Sequence, residues 1–112
     1  MNGLKSNRKE SDLYAPVLQW LNLQSKTFAF RTGNHAVFDP VRKIYRKKSQ
    51  RDLGLADIVG VKNGRAFAFE LKKAGGKATH FQVRWLGNFA RAGGISYVVD
   101  SLEDVQAGWA EI

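Results

Sequence analysis

Asp57, Glu70 and Lys72 are the residues of this sequence whose types and spacing could do chemistry together. Two neighbouring carboxylates supply the hard oxygen ligands that Mg²⁺ takes in proteins, beside water and substrate phosphates. A lysine next to them can orient or deprotonate an attacking water, or stabilise the negative charge that develops on a phosphate. The trio would therefore suit metal-assisted hydrolysis of a phosphodiester, provided that the chain brings the two acids together.

A predicted β-hairpin would bring them together. Asn63-Gly64 favours a two-residue type I′ turn, because that turn needs positive φ at both central residues. With these two residues as the loop, Asp57 falls directly opposite Glu70, and opposed Cβ atoms lie about 4.5–5.5 Å apart. Lys72 is two residues beyond Glu70, so its side chain would point to the same face of the strand.

A carboxylate pair on a hairpin can also be a surface feature held by an ion pair to Lys72. Like charges directly opposed destabilise a sheet, so a protonated carboxyl, a cation or a metal must compensate. The flanking positions are strongly apolar: Ile58, Val59, Val61, Phe67, Phe69 and Leu71. Acids are costly to bury in such strands, which favours a specific role over a solvated hairpin.

The elements that must position the trio follow the order αβββαβ, with a short C-terminal helix. Apolar periodicity and turn signals predict helices from about Asp12 to Leu23, from Thr79 to Gly93, and from Ser101 to about Trp109. They predict strands over Thr27–Arg31, Leu55–Val61, Ala66–Lys72 and Ile95–Val99, and a small hairpin at Asp39-Pro40. This order indicates one α/β domain.

Three signals concern the helix ends. Thr79 and Gln82 have the spacing of a capping box, and so do Ser101 and Asp104. Pro16 is expected in the first turn of a helix that starts near Asp12, where the missing N–H costs least, or at a kink if the helix starts earlier. Besides capping the helix, Gln82 could act in the site, because its helix face should point toward the sheet and the carboxylate pair. The two roles are compatible.

The charge of the chain indicates a polyanionic partner. Its 112 residues carry 18 Lys and Arg against 10 Asp and Glu, a net charge of +8, and nucleic acid is the foremost candidate for such a partner. Basic residues concentrate just before the Asp57 strand, where we expect contacts to DNA phosphates: Arg42, Lys43, Arg46, Lys47, Lys48 and Arg51. The alternative is a solvated loop. Arg31 and Lys77 are lesser candidates for the same role.

Several classes of protein are excluded by what the sequence lacks. Without cysteine there is no disulfide scaffold and no thiolate zinc site, and no apolar run is long enough for a membrane span. The P-loop pattern is absent, and His35 and His80 lack the spacing of a metal pair. We expect a cytoplasmic protein without a membrane partner, in which residues 1–9 form a mobile basic tail and residues 10–112 the domain.

The stretches 54–60 (GLADIVG), 69–73 (FELKK), 76–82 (GKATHFQ) and 93–99 (GGISYVV) resemble the PD-(D/E)xK nuclease superfamily. Within it, the chain is similar to short phage-type members of the VRR-NUC (virus-type replication-repair nuclease) family, from about residue 10 to 105. The resemblance implies a restriction-endonuclease-like core, a mixed sheet flanked by helices. It also implies Mg²⁺ or Mn²⁺ dependence and hydrolysis of DNA phosphodiester bonds. The proline of the superfamily name is replaced by Ala56.

The resemblance also assigns roles to individual residues. Those implied as metal ligands are Asp57, Glu70, the carbonyl of Leu71, and Glu10. Those implied as catalytic are Asp57, Glu70, Glu10, Lys72 and Gln82. Asp12 is the alternative to Glu10 as the acid of the first helix.

Relatives of this kind imply a homodimer, because one small domain offers limited surface for gripping DNA. We expect a structure-selective endonuclease acting on branched DNA such as a Holliday junction, in the host cytoplasm if a phage encodes it. Trp20, Trp85 and Trp109 could line the dimer interface or belong to the core. The alternatives are a non-catalytic nucleic-acid-binding module with the same fold, and a ribosomal-type RNA binder. The RNA binder would leave the acids in apolar strands unexplained.

Overall fold

The computed structural model describes residues 11–33, 37–46 and 54–112. The helices are α1 (Ser11–Asn22), α2 (His80–Arg91) and α3 (Leu102–Trp109). The strands are β1 (Thr27–Arg31), β2 (Val37–Asp39), β3 (Ile44–Arg46), β4 (Ile58–Lys62), β5 (Arg65–Leu71) and β6 (Ile95–Val99). The predicted tail therefore lies outside the described residues.

Four strands form a mixed sheet in the order β1-β4-β5-β6. β4 pairs antiparallel with both β1 and β5, whereas β5 and β6 run parallel. A parallel pair needs a long crossover, and α2 supplies it. β2 and β3 form a separate antiparallel hairpin, as predicted at Asp39-Pro40. The α/β fold with a mixed sheet flanked by helices is confirmed.

The β4–β5 hairpin has the predicted register. Asn63 and Gly64 have φ values of 48° and 84°, as a type I′ turn requires, and Lys62 pairs with Arg65. The first strand of this hairpin was predicted to start at Leu55. That boundary was wrong, because β4 begins only at Ile58. The preceding Ala56 is buried without belonging to a strand, and Gly54 of the same segment lies against the start of α2.

Helices cover both faces of the sheet. Successive residues of β5 point to opposite sides, so Phe67 and Phe69 contact one set of helices and Ala68 the other. The larger core joins β5 to α1 and α3 and contains Leu13, Val17, Leu21, Ile58, Phe67, Phe69, Leu71, Val105 and Trp109. The smaller one joins it to α2 and contains Ala56, Ala68 and Leu86, with Val59, Trp85 and Phe89 against it.

The three tryptophans pack within the described fold. Trp109 is buried, and Trp20 contacts its ring edge-on with 5.9 Å between ring centroids. Trp85 is half-buried and stacks on Phe89. Their positions favour the core role over the interface role for Trp109 in particular.

The helix ends agree with the sequence in part. α2 has the full capping box of Thr79 and Gln82. It ends at Arg91, two residues before Gly93, whose φ is 106°. Ser101 caps α3 through the Asp104 N–H, but Asp104 accepts from the N–H of Asp100 rather than that of Ser101. The second predicted capping box is therefore only half formed.

The predicted position of Pro16 in the first turn of its helix was wrong. α1 begins at Ser11 in the described part of the chain, so Pro16 is its sixth residue and lies in the second turn. The apolar stripe of this helix is as predicted, with Val17 and Leu21 fully buried. Because Pro16 is exposed, its ring does not disturb that packing. No helix among the described residues is long and apolar enough to cross a membrane.

Candidate active site

Asp57 lies at the start of β4 and is held by three neighbouring elements. Its backbone carbonyl accepts the N–H of Thr32, just beyond β1, at 2.9 Å. Its Oδ2 accepts the backbone N–H of Leu71 at 2.8 Å, and its Oδ1 accepts the hydroxyl of Tyr14 at 2.6 Å. The side chain is only 7% exposed. Both carboxylate oxygens are therefore fixed by hydrogen bonds to different parts of the fold.

Glu70 lies within β5 and is 1% exposed. The antiparallel ladder pairs Ile58 with Phe69, and continuing it by one residue sets Asp57 opposite Glu70. The charges of both acids also raise the pKa of the Tyr14 hydroxyl, that of Glu70 less than that of Asp57. The register is thus the predicted one up to Ile58 and Phe69, the residues next to Asp57 and Glu70.

Lys72 follows β5 directly, and its backbone N–H donates to the carbonyl of Val99 at 2.8 Å. The backbone therefore keeps its extended pairing beyond Leu71, and the alternation of side chains puts Lys72 on the face of Glu70. Lys72 is half-buried, whereas Lys73 is exposed. The three predicted residues lie at one end of the β4–β5 hairpin.

The hydrogen bond from Tyr14 to Asp57 was not predicted from the sequence. Burial, the hydrogen bond to Asp57 and the charge of Asp57 raise the pKa of its hydroxyl well above the usual range, while Arg31 opposes this. The hydroxyl therefore stays protonated and donates to Asp57. The available signal was its place on the apolar stripe of α1, since a buried tyrosine usually needs a partner for its O–H.

Arg31 completes this group on the outer side. Its guanidinium carbon lies 3.7 Å from the centroid of the Tyr14 ring, a cation–π contact. Arg31 ends β1 and pairs with Ile58, the residue after Asp57. Its side chain remains exposed. Arg31 thus contacts the ring of the residue whose hydroxyl donates to Asp57.

Gln82 lies at the start of α2, where the cap explains its side chain. Its Oε1 accepts the N–H of Thr79 at 2.7 Å, and its own N–H donates to the Thr79 hydroxyl at 3.2 Å. Gly54 lies against this helix end, since a Cβ there would be 2.1 Å from the Phe81 carbonyl oxygen. The segment before Asp57 therefore packs on the first turn of α2, and a role of Gln82 in the site stays a prediction.

The remaining predicted site residues divide between described and undescribed parts of the chain. Arg42 and Lys43 are exposed in the turn between β2 and β3, and Lys77 is exposed before α2. The residues outside the described part are Glu10, Lys47, Lys48 and Arg51, together with His35 and the side chain of Arg46. The assignment of the acid of the first helix to Glu10 or to the exposed Asp12 therefore stays open.

The donor set at Asp57 and Glu70 suits a hard divalent cation. Two carboxylates and nearby backbone carbonyls are the ligands that Mg²⁺ and Mn²⁺ accept, with water filling the other positions. Among the described residues no three His, Asp or Glu side chains cluster as a metal site. A metal at the pair would have one or two protein carboxylates as ligands, and the resemblance implies the Leu71 carbonyl and Glu10 as further ones.

No family model matches the chain, and no curated protein or solved structure is significantly similar to it. A function for this protein therefore depends on the geometry of the site and on the motif in its sequence.

Proposed function

We propose that this chain is a Mg²⁺- or Mn²⁺-dependent endodeoxyribonuclease of the PD-(D/E)xK type, similar to the VRR-NUC family. The observation that carries the proposal is the burial of two acids, Asp57 and Glu70, each next to a residue of the last pair of the β4–β5 ladder, Ile58 and Phe69. Lys72 follows two residues after Glu70. Two buried acids side by side are unfavourable unless something compensates their charge, and a metal at a phosphodiester site does so.

In this proposal each residue has a separate task. Asp57 and Glu70 hold the metal, together with the Leu71 carbonyl and an acid of α1 or the preceding segment. A bound Mg²⁺ or Mn²⁺ would supply an activated water and neutralise charge on the phosphate. Lys72 orients the attacking water or stabilises the charge that develops as the new P–O bond forms and the P–O bond to the leaving sugar oxygen breaks.

The wider proposal concerns substrate and assembly. The net charge of +8 supports a DNA partner held mainly through phosphates, with Arg42, Lys43 and Lys77 exposed for such contacts. We expect a homodimer that acts in the cytoplasm on branched DNA, because one domain of this size covers little of a duplex. The competing function, a nucleic-acid-binding module without catalysis, predicts salt-sensitive binding and no metal-dependent cutting.

The test is cleavage of labelled four-way junctions, flaps and plain duplex with Mg²⁺ or Mn²⁺. Lys72→Ala should lower the cleavage rate by about a hundredfold or more, as loss of a group that stabilises transition-state charge does. Lys73→Ala is the matched control, because it removes the same charge from the adjacent exposed position and should leave the rate nearly unchanged. Binding without cleavage in the wild type would favour the non-catalytic module, and equal rates for both variants would refute the role of Lys72.

A further inference from the structure

Tyr14 contacts two groups of the site through different parts of its side chain. Its hydroxyl donates to Oδ1 of Asp57 at 2.6 Å, and its ring lies 3.7 Å from the guanidinium carbon of Arg31. The two partners come from different strands, β4 and β1, while Tyr14 comes from α1. We propose, on the basis of the proposed function, that Tyr14 is a positioning residue that orients Asp57 for the metal and Arg31 for a substrate phosphate.

The hydroxyl contact fixes the carboxylate plane of Asp57. Oδ2 is held by the Leu71 N–H at 2.8 Å, so the Tyr14 hydroxyl supplies the second restraint at the other oxygen. Each carboxylate oxygen has more than one acceptor position, so these bonds leave room for a metal. Outer partners of this kind orient metal ligands, and their loss commonly weakens metal binding about 10–100-fold.

The ring contact holds Arg31 at the rim of the site. A guanidinium that stacks on an aromatic ring uses its flat face, and its N–H groups stay available at the edge for a bidentate contact to phosphate. Arg31 is exposed, and the Tyr14 ring that its guanidinium contacts belongs to the side chain whose hydroxyl donates to Asp57. The ring thus limits the conformations of a side chain that would otherwise be free in solvent.

The position of Tyr14 in the core suits this task. The neighbouring helix residues Leu13 and Val17 are buried at 2% and 0% exposure, so the backbone of this turn is fixed against the sheet. Tyr14 itself is half-buried, with its polar end directed to Asp57. Its two contacts use different parts of one side chain, and substitutions can therefore separate them.

The experiment compares Tyr14→Phe, which loses the hydroxyl and keeps the ring, with Tyr14→Leu, which loses both. Mn²⁺ affinity is measured by calorimetry without DNA, and KM for DNA is measured at saturating Mn²⁺. Tyr14→Phe should weaken Mn²⁺ binding about tenfold and leave KM near the wild-type value. Tyr14→Leu and Arg31→Ala should both raise KM several-fold, and Arg31→Lys should only partly restore it because lysine lacks the flat, forked head group.

Tyr97→Phe is the matched control, because it removes a hydroxyl that donates to Glu111 at 3.3 Å, away from the carboxylate pair. It should change neither Mn²⁺ affinity nor KM. Unchanged Mn²⁺ affinity in a folded Tyr14→Phe variant would overturn the inference while a cleaving wild type leaves the proposed function intact. A wild type that neither binds Mn²⁺ nor cleaves would overturn both. If Tyr14→Leu does not fold, Tyr14→Phe and the two Arg31 variants still test the positioning role of Tyr14.

Discussion

Gly60 shows how a single residue sets the closeness of β1 to β4. A Cβ at this position would lie 2.4 Å from the Phe28 carbonyl oxygen and 2.6 Å from Cζ of the Phe67 ring. The absence of a side chain lets the buried Phe67 ring pack over the strand. This contact supports the β1–β4 pairing that carries Arg31 to the site.

We predict that Gly60→Ala lowers the free energy of unfolding by about 1–3 kcal/mol, the range for overpacking in a core. Gly33→Ala is the control, because a Cβ there would have no atom within 4 Å. Urea denaturation followed by tryptophan fluorescence measures both variants. A Gly60→Ala protein as stable as Gly33→Ala would show that the strands can separate at no cost.

At the scale of elements, the cap of α2 decides how the segment before Asp57 is supported. Thr79 and Gln82 satisfy each other's backbone N–H groups, and Gly54 packs on the turn they form. A fraying helix start would loosen that segment. The stability of the cap and the order of the site are therefore linked.

We predict that Thr79→Ala costs about 1 kcal/mol of stability, as loss of an N-cap side chain usually does. Gln82→Ala should also destabilise the protein, whereas Gln82→Glu should not, since glutamate serves equally in a capping box. Thermal denaturation tests these three variants. The prediction fails if Gln82→Glu is as unstable as Gln82→Ala.

Cleavage by Gln82→Glu then separates the two roles of this residue. A part in the site predicts a slower reaction at unchanged stability, because the side-chain amide is lost while the cap remains. A wild-type rate would limit Gln82 to the helix cap.

The hairpin register could be predicted because it depends on local chemistry. Asn63-Gly64 determines the turn, and the turn determines every pair of the ladder out to Ile58 and Phe69. The start of β4 could not be predicted equally well. Ala56 is fully buried yet precedes the strand, and apolar character alone does not distinguish a strand from a buried segment that packs on a helix.

Contacts between distant parts of the chain could not be predicted from the sequence. Tyr14 and Asp57 are 43 residues apart, and their hydrogen bond depends on how α1 lies against the sheet. Phe28 and Phe30 alternate along β1 and so share one face, but their exposure of 67% and 48% depends on how far α2 extends across the sheet. Periodicity gives a shared face and no information about which helix covers it.

At the scale of the whole molecule, the excess of basic residues should make DNA binding depend strongly on salt. Lys77 is exposed beside the site, since the preceding Gly76 lies close to Lys72. Arg65 is also exposed, but it lies five residues along β5 from Glu70, about 17 Å away. The two positions therefore test whether DNA contacts concentrate at the site.

We predict that Lys77→Ala reduces the slope of log K against log salt by about 1, as loss of one phosphate contact does. Arg65→Ala, which removes the same charge at the other end of the hairpin, should leave the slope unchanged. Fluorescence anisotropy of labelled DNA over a range of salt concentrations gives both slopes. Equal changes in the two variants would indicate a response to net charge rather than a localised contact.

The buried pair of Asp57 and Glu70 is tested most directly by a calorimetric titration of Mn²⁺ into the wild type and Glu70→Gln, without DNA. If the pair holds a metal, the wild type binds Mn²⁺ with at least one site per chain, and Glu70→Gln binds it at least about tenfold more weakly. Glu103→Gln is the control for an exposed carboxylate and should bind as the wild type does. A wild type that does not bind Mn²⁺, or a Glu70→Gln variant that binds it equally well, would contradict the assignment of a metal site.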